Sequence, residues 1–333
     1  MTIELKTHNI RPMRHTFAHV ARQIGGDKPA SRYQEATLET QPTGPFHYRP
    51  IWDPDHEIFD ATRTAVKMKN WYAFKDPRQY YYGNWTMNRA RQQETMEANF
   101  DFVESRGMVS QLPGATSAAA LSILMPLRHV AWGANMNNSS ICAYGYGTAI
   151  TAPAMFCAMD QLGIAQYLTR IGLLLDDPEG LDQGKRDWLE AARWQELRRY
   201  VEDTFVVQDW FELFVAQNLA LDGILYPLVY RAIVNEHLAA KNGTAIAMLT
   251  AFMTDWFAEQ GKWVDAQVKT AAAESDENRA LLADWTRAWS GRAIAALRPV
   301  VLHLFDDAAH ADVLMDEVAD QFSARAAKLG LTR

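Results

Sequence analysis

The stretch FVVQDWFELFVAQNLALDGILYPLVYRAIVN, residues 205–235, decides the reading of the fold. Phe211, Phe214, Leu219, Leu221, Ile224, Leu225, Leu228, Val229 and Ile233 leave almost no polar face on a helix. A helix apolar on all sides belongs inside a large core. Pro227 is expected to kink it or to end one segment. On the C-terminal side, Ile246, Leu249, Met253, Trp256 and Trp263 recur at spacings of three, four, three and seven. Leu282, Trp285, Trp289 and Ala296 continue a similar stripe, and Leu314, Val318, Phe322 and Leu329 repeat it in the tail. On the N-terminal side, Lys185 to Asp203 alternates charge with Trp188, Leu189, Trp194 and Leu197, as an amphipathic helix does. Residues 117–135 and 147–175 are apolar and of helical length, with Pro126 and Pro153 expected to kink or divide them. Asp177-Pro178 offers a helix start. Residues 86–106 place Glu94, Glu97, Asp101 and Glu104 on one face, read as solvated or partner-facing. Alternating β-branched runs closed by tight turns are missing, and Asn242-Gly243 reads as a helix stop. The fold expected is all-α, with eight or more helices around a central bundle.

Composition agrees. Six of the 13 prolines fall in the first 54 residues, leaving room for long helices beyond them. Hydrophobic content of 48% excludes a disordered chain. The 11 Trp, 12 Tyr and 14 Phe mark a large core or a large interface. A net charge of −7 disfavours nucleic acid as a partner. Two cysteines, Cys142 and Cys157, build neither a disulfide framework nor a metal knuckle, which points to a reduced, cytoplasmic protein. Arg14, His15, His19 and Arg22 interrupt any signal core, and no uninterrupted apolar run is long enough to predict a membrane span.

Two regions follow: an extended arm over residues 1–60 and a helical domain over 61–333. The arm is polar and punctuated by proline, yet carries Phe17, Tyr33, Phe46, Tyr48 and Trp52. It lies either along another surface or as a strap on its own domain.

A helical bundle raises the question of a metal site. Carboxylate di-iron proteins use a Glu on each of two helices and a Glu-x-x-His on each of two others. None of the nine histidines has a Glu three residues before it. Asp53-x-x-His56 lies in the proline-rich arm, with Pro54 following Asp53, which leaves Asp307-x-x-His310 as a lone acidic pair that reads as a solvated helix turn. His15 and His19 have the spacing of a zinc pair, but Thr16 stands where a zinc protease carries its Glu base. Gly145-Tyr146-Gly147 lacks the third glycine of a dinucleotide fingerprint and reads as close helix packing. No nucleophile elbow and no P-loop occur. His129 reads as a satisfied core or interface histidine. No catalytic, cofactor-binding or metal-ligating residue is expected in this chain.

Several segments carry a family resemblance: RHTFAHVAR (14–22), KPASRYQEAT (28–37), FHYRPIWDP (46–54), QNLALDGILYPLVY (217–230) and TDWFAEQGKWVDA (254–266). Most specific is NWYAFKDPRQYYYGNWTMNRARQQE (70–94). The chain resembles, nearly end to end, the β subunit of bacterial multicomponent monooxygenase hydroxylases, most closely the phenol hydroxylase branch. The resemblance implies a ferritin-like helical bundle with extra helices and no iron ligands. Where a catalytic chain would read Thr-Asp-Glu-x-x-His, this one has Thr254-Asp255-Trp256-Phe257-Ala258-Glu259. Pro126 stands where the other Glu would be if His129 matches a ligand histidine.

The implied role is a non-catalytic component of an NADH-dependent monooxygenase. Its catalytic α subunit would use a di-iron centre and O₂ to hydroxylate phenol to a catechol. The implied partners are α and γ subunits in a dimer of αβγ units, a small effector protein, and a reductase carrying FAD and an iron–sulfur cluster. Toluene or alkene monooxygenases use related β subunits, and a stand-alone helical metalloenzyme is a further alternative. The contact with the partner is expected on the arm and on Trp71, Tyr72, Tyr80, Tyr81, Tyr82 and Trp85, with Arg78 and Arg89 bonding to partner carboxylates.

Overall fold

The computed structural model describes residues 16–331 except 27, 43 and 306. His15, and with it the His15/His19 pair, lies outside the described residues. About 77% of the chain is helical, and no strand occurs among the described residues.

The quoted stretch forms the central helix. It runs from α7 (Trp210–Phe214) through a π-helical segment (Val215–Leu221), α8 (Asp222–Tyr226) and a second π-helical segment (Pro227–Leu238). These 29 residues are apolar and long enough to cross a membrane, yet 94% of their most apolar window is buried inside the protein. Asp209 caps the start, accepting from the N–H groups of Phe211 and Glu212. Pro227 ends the α8 segment, one of the two outcomes expected of it. It opens the second π segment, where the missing N–H is absorbed by the change in hydrogen-bond register.

Around this axis lie α3 (Tyr82–Ser105), α4 (Gly114–Tyr144), α5 (Thr148–Glu190), α6 (Ala192–Thr204), α9 (Thr244–Leu249), α10 (Ala251–Glu274), α11 (Asp276–Leu304) and α12 (Ala308–Lys328). Pro126 and Pro153 sit inside continuous helices, so neither divides its helix, one of the two outcomes expected. The break in α5 comes at Asp176 and Asp177, where the backbone leaves helical angles just before Pro178. Asn242 takes the left-handed φ of 63° that stops the central helix, and the Gly243 N–H closes back on the Leu238 carbonyl at 2.8 Å. Gly145-Tyr146-Gly147 is the turn between α4 and α5 rather than a packing motif within a helix; Gly147 has φ +90°. The apolar stripes meet the axis as expected: Ile246, Met253, Trp256, Trp263, Leu282 and Val318 are all buried. Gly223 lets α12 approach closely, since a Cβ there would stand 3.0 Å from the Phe322 ring.

The described part of the arm is not fully extended. It holds two short helices, α1 (Ala18–Ile24) and α2 (Arg32–Thr37), the second opened by a reciprocal Ser31–Gln34 capping box. The Tyr33 hydroxyl accepts the Asp76 N–H at 2.9 Å, and Gln41 reaches the α4–α5 turn. Tyr48, Ile51 and Trp52 remain exposed.

Candidate functional site

Three helices bring charge to the middle of the bundle. The spacing of three residues puts Cys157 and Asp160 on one face of α5, and Trp256 and Glu259 on the facing side of α10. Arg89 of α3 enters between them. Its Nε and Nη2 donate to the two Asp160 oxygens, both at 2.7 Å, and Nη2 and Nη1 donate to the Glu259 oxygens at 2.7 and 3.1 Å. The Trp256 indole N–H donates to Asp160 Oδ2 at 3.0 Å. Asn88 adds a bond to Glu259 at 3.0 Å. Arg78 stands behind, bonded to Asp76 at 2.9 Å and to Gln260 at 2.6 Å.

The electrostatics follow from this sharing. Burial opposes the charged form of Arg89, but its bonds to Asp160 and Glu259 override that and raise its pKa. Burial also opposes ionised Glu259, and the Arg89 contacts again win, leaving its pKa lowered. Asp160 is more deeply buried, and burial pushes its carboxyl up against the Arg89 and Trp256 bonds. Burial, then the bond to Glu259, pushes the Tyr80 hydroxyl up to about 12. The guanidinium is therefore a permanent cation shared by two carboxylates.

A di-iron centre does not fit here. The indole of Trp256 offers a donor and no lone pair. Both carboxylates already spend their oxygens on Arg89. Among the described residues no group of three or more His, Cys, Asp and Glu side chains could hold a metal.

The turn that faces Trp256–Glu259 is Cys157–Asp160, not Pro126–His129. His129 stacks instead on Trp188 at 5.7 Å, and burial lowers its pKa to about 4. Its Nε2 has no hydrogen-bond partner, so it is a core histidine but not a satisfied one. Asp307 caps α12, accepting the Ala309 N–H at 2.9 Å, while His310 packs on Phe305.

The eight residues expected to meet a partner divide into four pairs. Arg78 and Arg89 are turned inward as described. Tyr80 and Trp85 are buried, with Trp85 stacked on Phe156 of α5 at 4.9 Å. Trp71 and Tyr81 are half-buried, Trp71 against Phe74 and Tyr146. Tyr72 and Tyr82 face outward, at 38% and 73% exposure. Glu94, Asp101 and Glu104 are exposed and Glu97 half-buried; Arg170 bonds Glu97 at 2.7 Å.

Sequence reasoning missed Asp160 and Asp222. Each stands as a lone charge in an apolar run, Asp160 within residues 130–169 and Asp222 within 213–230. That isolation was the available signal, because an acid so placed must be buried and paired.

A family model described as methane/phenol/alkene hydroxylase matches residues 52–275. The chain belongs to this family. It is 48% identical to the phenol 2-monooxygenase oxygenase component DmpL of Pseudomonas sp. (strain CF600), over 99% of this chain and 98% of that one. It is 24% identical, over 84% of its length and 86% of the relative's, to the hydroxylase component subunit beta of the toluene-4-monooxygenase system of Ectopseudomonas mendocina. The fold superposes on a crystal structure of phenol hydroxylase from Pseudomonas sp. OX1 with a TM-score of 0.89, at 42% identity and 98% coverage of both chains. The chain is thus a small subunit of a multicomponent monooxygenase with a ferritin-like helical fold.

Proposed function

We propose that this chain is the non-catalytic, structural β subunit of a phenol hydroxylase. It would support a di-iron α subunit that hydroxylates phenol to catechol with O₂ and electrons from NADH, delivered by a reductase with FAD and an iron–sulfur cluster. One observation carries the reading: a guanidinium joins the two carboxylates at the centre of the bundle, and Trp256 and Glu259 stand where the motif Thr-Asp-Glu-x-x-His would place a Glu and a His. The identities favour the phenol branch, at 48% against 24% for the toluene relative. The assembly proposed is a dimer of αβγ units with an effector protein, located in the cytoplasm.

The proposed contact surface begins with the arm, residues 1–60, and with exposed Tyr72 and Tyr82 of the aromatic segment. The outer face of α4 and α5 extends it. From residue 130 to 169 these helices carry one charge, Asp160, and that is buried. Trp132 and Met136 of α4 and Met155, Met159 and Leu162 of α5 are exposed there. Loss of charge around aromatic and methionine side chains is what distinguishes the centre of an interface from ordinary surface. The Trp85–Phe156 stack joins this face to the aromatic segment.

The deciding experiment purifies the chain alone and within the co-expressed hydroxylase, and measures iron and phenol hydroxylation in both. The expectation is no bound iron and no activity alone, with both present in the complex. Two irons retained by the isolated chain would overturn the assignment.

A further inference from the structure

A chain of buried polar side chains crosses the bundle and stops short. Asn137 of α4 donates to the Thr204 hydroxyl of α6 and to Gln217 Oε1 of the central helix, both at 2.8 Å. Gln217 Nε2 then donates to Asp222 Oδ1 at 2.9 Å. Asp222 Oδ2 has no hydrogen-bond partner, and neither has Gln161 Nε2 of α5. Both residues are almost wholly buried, and both line the same cavity of about 10 Å³, together with Tyr226, Tyr230 and apolar side chains of α4. The Tyr226 hydroxyl donates to Gln161 Oε1 at 3.4 Å, which orients the amide so that its N–H₂ end is the unpaired one.

We infer that this cavity binds one water molecule, which accepts from Gln161 Nε2, pairs with Asp222 Oδ2 and so links α5 to the polar chain through α4, α6 and the central helix. The room suffices for about one water, and a buried water needs two to four polar partners. Leaving two buried polar atoms unpaired inside a network is the costly alternative. A water suits this pair because it both donates and accepts. It donates to Asp222 when the carboxyl is ionised, and accepts from it when protonated. Burial raises that carboxyl to about 7, so both states occur near neutrality. A small cation suits it poorly, since it cannot accept from the Gln161 N–H.

The test is a high-resolution crystal structure of the assembled hydroxylase, with a parallel thallium soak. One peak within roughly 3 Å of both atoms, without thallium signal, is expected. Asp222→Asn should keep the peak. Gln161→Leu should lose it and lower the melting temperature by about 2–6 °C. An empty cavity would overturn the inference, whatever the two atoms then bond, as would thallium bound there. If Gln161→Leu does not fold, the native and Asp222→Asn density still decides.

Discussion

Arg89 keeps two acids together that would otherwise repel each other inside the bundle. Its removal leaves Asp160 buried without its counter-charge, the situation in which a broken buried pair costs about 3–5 kcal/mol. Arg89→Met is therefore expected to destabilise the chain by about that much in chemical denaturation. Arg89→Lys should recover only part of it, because an ammonium cannot make the paired bonds to both carboxylates. Asp222 gives the pH-dependent case. Its folded pKa is raised to about 7 from 3.8, mainly by burial, with Gln217 and Arg325 opposing. Between those values the folded state holds a proton that the unfolded state has lost. Stability from this residue is thus greatest at low pH and falls as pH rises from about 4 to 7. Cys157 of α5 and Tyr226 and Tyr230 of the central helix surround it with burial-raised pKa values, so they stay neutral across that window. Asp222→Asn keeps the acceptor for Gln217 and removes the titration. Its melting temperature relative to the native chain should therefore rise between pH 5 and pH 8. An unchanged difference would mean that Asp222 is already ionised at the lower pH.

At the scale of elements, the uncharged face of α4 and α5 behaves as surface in the isolated fold. Met159→Lys and Trp132→Asp are expected to cost the isolated fold no more than about 1–2 kcal/mol, since each side chain is only about half covered. Both should sharply weaken co-purification with the larger subunit, because a charge would then be buried unpaired in the contact. The face alone is modest. The 22 residues of α5 from 148 to 169 span roughly 33 Å, and two neighbouring helices give a strip roughly 20 Å wide. That is about 660 Å², short of the roughly 800 Å² per partner of a standard interface. The arm is the natural supplement. Deleting residues 1–40 removes α1, α2 and the Tyr33 bond to Asp76, yet touches none of the helices around the central axis. The truncated chain should fold and show the same helical circular dichroism, but assemble more weakly. Assembly as tight as that of the full chain would make the arm a strap on its own domain.

For the whole molecule, one core cluster runs from Val66 to Leu331 and takes in side chains of every long helix. Such continuity is expected to make the body from α3 to α12 unfold as one unit. Exposed Trp132, Met136, Met155, Met159 and Tyr82 lie outside that core. Expressed without its partners, the chain is expected to aggregate or to be degraded faster than in the complex, and size-exclusion chromatography of both forms measures this. A stable monomer would show that the exposed face needs no cover.

The helical class, the central helix and the inward stripes were legible in the sequence, because hydrophobic period reports directly on which side of a helix meets a core. Trp256 and Glu259 were singled out through the family resemblance, which sets Thr254-Asp255-Trp256-Phe257-Ala258-Glu259 against the motif Thr-Asp-Glu-x-x-His. Arg78 had a local acid, Asp76, two residues before it, but Arg89 could not be placed. It lies in a stretch rich in tyrosine, and nothing local says whether its guanidinium turns outward to a partner or inward to acids 71 and 170 residues away. Packing decided that, by bringing Asp160 and Glu259 to either side of α3. It likewise decided that Cys157–Asp160, rather than Pro126–His129, faces Trp256. Which turn of α4 or α5 meets α10 depends on how long helices cross, and local period carries no record of a crossing. The prolines were legible in part: Pro227 marks the end of α8, whereas helices held on all sides by neighbours carry Pro126 and Pro153 without dividing. Local preference is worth only a few kcal/mol at such a residue, and burial of the surrounding side chains outweighs it.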